Sequence, residues 1–201
     1  MTPLEIATPH GPALAHLHLA ETPRAGLVLG HGAGGGVAAR DLVAATKAAL
    51  EVQVSVALVE QPYRVAGRKS AAPAKQLDVA WDAVVDHFRG DVFAGLPLVT
   101  GGRSSGARVA CRTAAVTYAA GVLCLAFPVH PPGRPEKTRL DELDAVTVPV
   151  LVVQGESDPF GMPPAAPGRE IVAQRGTHAL TGDLAGLGEA VRAWLVRLLT
   201  H

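Results

Sequence analysis

Apolar positions along the chain change their spacing repeatedly, and each change marks an element. Two short runs, "LEIA" and "ALAHLHLA", flank the turn segment "TPHGP" and predict an N-terminal hairpin. In the second run His16 and His18 share one face, which reads as the polar side of a half-exposed strand rather than as a metal pair. Beyond the hairpin the pattern alternates. "AGLVLGHG", "VSVALVE", "LPLVTGG", "AGVLCLAFP", "VPVLVVQG" and "REIVAQRG" are unbroken apolar runs of strand length. Between them lie helical spacings: Leu42 to Leu50, then Leu77, Trp81, Val84 and Phe88, then Gly106 to Tyr118, and a short piece from Arg139 to Val146. Leu187, Val191, Trp194, Leu195 and Leu198 predict a closing helix.

Strands that are apolar throughout and separated by helices belong to a sheet buried on both faces, which is the parallel arrangement. The expected fold is therefore α/β, with a mostly parallel central sheet, helices on both faces and one domain over residues 1–201. Three Pro- and Gly-rich stretches, Gln61 to Pro73, Pro128 to Pro135 and Pro159 to Gly168, read as loops within that domain. The last holds four prolines, so an irregular connection is expected there in place of a crossover helix.

Composition narrows the function classes. Of 201 residues, 48% are hydrophobic and 18% charged, a globular balance, and only 4% are aromatic, so Ala, Val and Leu must fill the core. Eighteen basic residues balance eighteen acidic ones with no basic stripe, which speaks against nucleic acid or an anionic membrane as partner. The segment "MTPLEIATPHGP" lacks the pattern of a secretory signal, and no apolar run reaches membrane-spanning length, so a cytoplasmic location is the expectation. Cys111 and Cys124 sit in apolar surroundings and read as small buried hydrophobes, with no disulfide framework, zinc site or other metal spacing.

The chemistry concentrates in "GGRSSGA". Gly102, Ser104 and Gly106 form G-x-S-x-G at the junction of a predicted strand and a predicted helix. Such a serine sits on a strained turn, where side chains two residues before and after would collide, and the helix that starts there aims its positive end at the site. The glycine run after "LVLGH" can supply one backbone N–H to an oxyanion, from Ala33 or alternatively Gly34, and Ser105 can supply the other. Asp158 in "QGESDPFG" lies just past a strand, preferred over Glu156, and His178 follows the last strand. The order Ser104, Asp158, His178 suits a nucleophile, an orienting acid and a general base.

Gly30 to Gly35 also matches G-x-G-x-x-G, with Glu60 ending the next strand as a ribose-binding acid would, but a dinucleotide site leaves the serine turn, Asp158 and His178 unused. His31 is expected to shape the glycine loop. Arg103 is a candidate receptor for an anionic group or, at least equally, a paired or outward-facing arginine, and His130 is a candidate pocket residue. Tyr63, Arg64 and Arg68 stand equally as pocket wall or loop surface.

The strings "HGAGGG", "EQPYRVAGR", "GGRSSGARVA", "FPVHPPGRPEKTRL" and "VQGESDPFG" together resemble the α/β-hydrolase superfamily, in a small cap-less branch close to dienelactone hydrolases. The resemblance covers nearly the whole chain. It implies a serine hydrolase of esterase, thioesterase or lactonase type, acting on a small acyl substrate through Ser104, His178 and Asp158, with no cofactor. Two features depart from the family pattern: Thr177 precedes the histidine where an acidic residue is usual, and the proline-rich stretch replaces a helix-bearing connection. The alternative from another class is a binding or scaffold protein that keeps the fold without turnover. Substrate and oligomeric state stay open at this level.

Overall fold

Ala25–Gly30 (β3) is buried at all six positions, because sheet neighbours flank it and helices cover both its faces. The structure, a computed structural model, describes residues 2–200. Around β3 lie Leu4–Ile6 (β1), Ala13–His18 (β2), Val54–Glu60 (β4), Leu98–Arg103 (β5), Gly121–Leu125 (β6), Val150–Gly155 (β7) and Arg169–Gln174 (β8). They form one eight-stranded sheet in the order β1-β2-β4-β3-β5-β6-β7-β8. β2 pairs antiparallel with both β1 and β4, and every other pairing is parallel.

Alternate residues of the strands feed different cores, as the two-residue period of a strand requires. Leu27, Leu29, Val56 and Leu58 pack with Arg40–Glu51 (α1) and Leu184–Leu198 (α6). Val28, Ala57 and Val59 point the other way, to Trp81, Val84 and Phe88 of Ala74–Gly90 (α3). Val122, Cys124 and Val152 complete that second face with Ser105–Thr113 (α4) and Leu140–Asp144 (α5). The Cys111 and Cys124 sulfurs lie 3.5 Å apart as free, buried thiols, and their mutual contact raises the Cys124 pKa.

Two elements differ from the sequence expectation. The helix expected to run to Tyr118 ends at Thr113. Tyr118 adopts a φ of 48°, and the Ala119 N–H returns to the Ala114 carbonyl, which closes the helix so that Ala120 can bond to Leu98 at the start of β5. The stretch from Gln61 to Pro73 holds a one-turn helix, Pro62–Val65 (α2), with Pro62 in the first turn, where its missing N–H costs nothing. The β7 to β8 connection carries no helix.

Parallel strands deliver their carboxyl ends to one edge of the sheet. The segments after β3, β4, β5, β7 and β8 all emerge there, and with them His31, Gln61, Ser104, Asp158 and His178.

Candidate active site

Ser104 stands between β5 and α4 with φ 53° and ψ −107°, a conformation outside the regions open to a residue with a Cβ. The turn is so tight that a Cβ on Gly102 would come within 2.5 Å of the Gly30 oxygen, and one on Gly106 within 2.5 Å of the same atom. Glycine at both positions is therefore a packing requirement. The Ser104 N–H bonds to Leu125, and its carbonyl accepts from Arg108, so the backbone is held on both sides. The first N–H groups of α4, starting with Ser105, have no partner inside the helix.

The Ser104 hydroxyl lies 2.9 Å from His178 Nε2, and His178 Nδ1 lies 2.8 Å from Asp158 Oδ2. With an ionised carboxylate at Nδ1, the ring carries its proton there and leaves Nε2 to accept from the hydroxyl. The Asp158 side chain is fully buried. Its Oδ1 accepts from the Phe160 N–H at 2.8 Å, a turn that also brings the Phe160 ring onto the His178 ring at 4.2 Å between centroids. Glu156, the sequence competitor, is exposed.

Gln154 is a site residue that sequence reasoning misses. From the buried strand β7 its Nε2 donates to Asp158 Oδ2 at 2.9 Å, to Gly161 O at 2.8 Å and to Phe127 O at 3.0 Å. A lone amide inside the run "VPVLVVQG" is the available signal, since a buried polar side chain must have partners. Behind it, Gly155 admits the backbone of Thr177, whose oxygen would lie 2.5 Å from a Cβ there, so β7 and the His178 loop touch directly.

The glycine loop is held by two side chains. His31 Nδ1 donates to the Gly32 carbonyl at 2.8 Å, and its Nε2 accepts from the Gln61 N–H at 3.1 Å. The second bond needs the neutral ring, and burial lowers its pKa. The Gly35 N–H bonds to the same Gly32 carbonyl, so the Gly32–Ala33 peptide is fixed and with it the direction of the Ala33 N–H. Tyr63 Oη donates to the Ala33 carbonyl at 2.9 Å, which fixes the Gly34 N–H in turn. Neither N–H has a protein partner among the described residues. His31 is 3% exposed and stands behind the loop rather than in the pocket wall.

Arg103 is engaged. Its Nε lies 2.8 Å from Asp41 Oδ2, a close though poorly aligned ion pair, and its Nη2 donates to the His178 backbone oxygen at 3.1 Å. Burial raises the Asp41 pKa, with Arg103 opposing. His130 lies outside the cavity: its Nδ1 faces the Pro131 oxygen at 2.9 Å, and its ring packs on Gly161 behind the Asp158 loop. Glu60, the acid of the dinucleotide alternative, accepts from His16 at 2.6 Å, and the glycine segment does not open a helix, since α1 starts only at Arg40. Arg64 and Arg68 do not line the cavity.

Ala33, Gly34, Ser104, Ser105, Arg103 and His178 share one cavity of about 620 Å³ at the carboxyl edge of the sheet. Among the described residues, no group of three or more His, Cys, Asp or Glu stands close enough to hold a metal ion, and no helix is long and apolar enough to cross a membrane.

Residues 23–183 match the family described as alpha/beta hydrolase domain. No curated protein matches the chain. Among solved structures, Est1E from Butyrivibrio proteoclasticus is similar with a TM-score of 0.80 at 17% identity, covering 100% of both chains. An α/β serine hydrolase without a lid from Xanthomonas campestris gives 0.80 at 22% identity, covering 100% of this chain and 95% of that one. A dienelactone hydrolase from Anabaena variabilis gives 0.74 at 14% identity, covering 98% and 99%. At such identities the likeness is one of fold.

Proposed function

The chain belongs to the alpha/beta hydrolase family, and on that premise we propose that it is a serine hydrolase cleaving an ester-type bond in a small acyl substrate. The observation that carries this reading is the unbroken chain of contacts from the Ser104 hydroxyl through both nitrogens of His178 to Asp158. In the first half-reaction His178 Nε2 takes the Ser104 proton as Oγ attacks the acyl carbon. Asp158 holds the tautomer and stabilises the imidazolium. The oxyanion is received by the N–H of Ser105 and by that of Ala33 or Gly34, an arrangement in which one donor is worth roughly 3 kcal/mol. His178 then returns the proton to the leaving oxygen, and water repeats the sequence in reverse to free Ser104.

The test is intact-mass analysis after treatment with a fluorophosphonate. One adduct on the wild type, none on Ser104→Ala and slow labelling of His178→Ala are expected. Folded wild-type protein that takes up no adduct would overturn the reading and return the chain to a binding role.

A further inference from the structure

The cavity beside Ser104 is lined by four arginines, Arg103, Arg108, Arg112 and Arg139, and by no carboxylate. The carboxylates that neutralise them sit behind the wall. Arg103 is matched by Asp41. Arg108 forms a two-point pair with Glu142, at 2.8 and 2.6 Å. Arg112 forms another with Asp78, at 2.9 and 2.6 Å, and adds a third contact to Glu142 at 3.2 Å. Three carboxylates thus serve three of the four cations. Glu142 is already shared, and among the described residues Arg139 has no ion-pair partner and its side chain makes no hydrogen bond.

Arg139 stands in the cavity wall without such a partner. Its backbone is pinned by the bond from its N–H to Val129 O at 2.7 Å, and its side chain is half-buried at the start of α5. Burial lowers its pKa, the Arg108 charge lowers it further, and Glu142 only partly opposes them. A guanidinium held near two others, with no anion of its own, is a receptor for a planar oxyanion. The remaining wall is hydrocarbon: Ala71, Ala72, Leu77, Pro128 and Phe160. Such a cavity suits a short apolar body with one charged end.

Resting on the hydrolase reading above, we propose that Arg139 is the carboxylate-binding residue of the pocket and that the substrate is an ester carrying one carboxylate away from the bond cleaved. The surplus of a single positive charge in the wall argues for a monoanion. The anion can sit on the acyl half or on the alcohol half, and two matched pairs of esters separate these cases.

The experiment measures kcat/KM for 4-nitrophenyl hemiglutarate against 4-nitrophenyl valerate, and for 4-carboxyphenyl acetate against 4-methylphenyl acetate. Each pair is run on the wild type, Arg139→Gln and Arg139→Lys at low ionic strength. The ratio of anionic to neutral ester is expected to fall at least tenfold in Arg139→Gln for one pair, with partial recovery in Arg139→Lys and a weaker effect in added salt. Ratios unchanged in both pairs, on protein whose Ser104 still takes the fluorophosphonate, overturn the carboxylate site and leave the hydrolase reading standing. Without labelling or turnover the hydrolase reading fails, and the site is decided by melting temperature. Millimolar valerate, a monoanion, must then stabilise the wild type more than Arg139→Gln, and equal shifts overturn the proposal.

Discussion

The guanidinium of Arg103 donates to the backbone oxygen of His178 at 3.1 Å while its Nε lies against the buried carboxylate of Asp41. Arg103 immediately precedes Ser104, and its guanidinium also lies against Gly32, where an added Cβ would meet it at 2.9 Å. One side chain therefore joins the serine turn, the His178 loop, the glycine loop and the start of α1. Of the readings the sequence leaves open for Arg103, the paired arginine is the one seen, because Asp41 claims the guanidinium.

Replacing Arg103 by Met leaves Asp41 charged and buried, at a cost of about 3 kcal/mol or more near neutral pH. Asp41 already has a raised pKa from burial, and removal of the cation raises it further. A carboxyl with a raised folded pKa is harmless while protonated and destabilises as pH climbs past its unfolded value. The deficit of the variant in urea melts is therefore expected to be smallest at about pH 4 and to grow toward pH 7. A deficit that does not change with pH would show that Asp41 is not the group left behind. With His178 less firmly held, kcat should fall by roughly ten- to a hundredfold, with KM less affected.

His31 makes a prediction of the opposite sign. Its folded pKa is lowered by burial below the usual 6.5, and the bond its Nε2 accepts from the Gln61 N–H requires the neutral ring. Its contribution to stability is present above the unfolded pKa and is lost as pH falls below it toward the folded value. Wild-type stability should thus decline from pH 7.5 to pH 5 more steeply than that of His31→Gln, measured by urea melts at both pH values. Parallel curves would remove His31 as the titrating group.

How much of this is visible in the sequence follows from where each residue lies. Ser104, Asp158 and His178 stand just beyond apolar runs, so the carboxyl edge of a parallel sheet can be read without any coordinates. Gly102 and Gly106 give the turn its signature. Gln154 hides because a polar residue near a strand terminus looks like the terminus itself. Asp41 reads as an ordinary first-turn acid of α1, and its match with Arg103 needs a contact between segments far apart in the chain. Arg139 is concealed in another way: its significance lies in how Glu142 and Asp78 are divided among other arginines, which no local pattern encodes. The early end of α4 is unreadable for a similar reason, since it is set by the register of β6 against β5.

Gln154→Leu keeps the volume but removes the donor to Asp158, Phe127 and Gly161. The buried Phe127 oxygen loses a partner, at roughly 1–3 kcal/mol, and the part-buried Gly161 oxygen loses one at a smaller cost. A fall in melting temperature together with a lower kcat is expected. Loss of stability with kcat unchanged would mean that the Phe160 N–H alone suffices to orient Asp158.

Strain at Ser104 gives the last prediction. A residue with a Cβ held at φ 53° and ψ −107° stores about 1–3 kcal/mol. Ser104→Ala keeps the Cβ and hence the strain, whereas Ser104→Gly releases it. Glycine also widens the unfolded ensemble, which offsets about 0.4–1 kcal/mol of that gain. Both variants lose the hydroxyl and its contact with His178, so their difference isolates the backbone. Ser104→Gly is expected to be the more stable of the two by about 1 kcal/mol in urea melts, a difference left after the entropy term. Equal stabilities, or a more stable alanine variant, would show that the flanking glycines have relieved the turn without leaving strain on the serine itself.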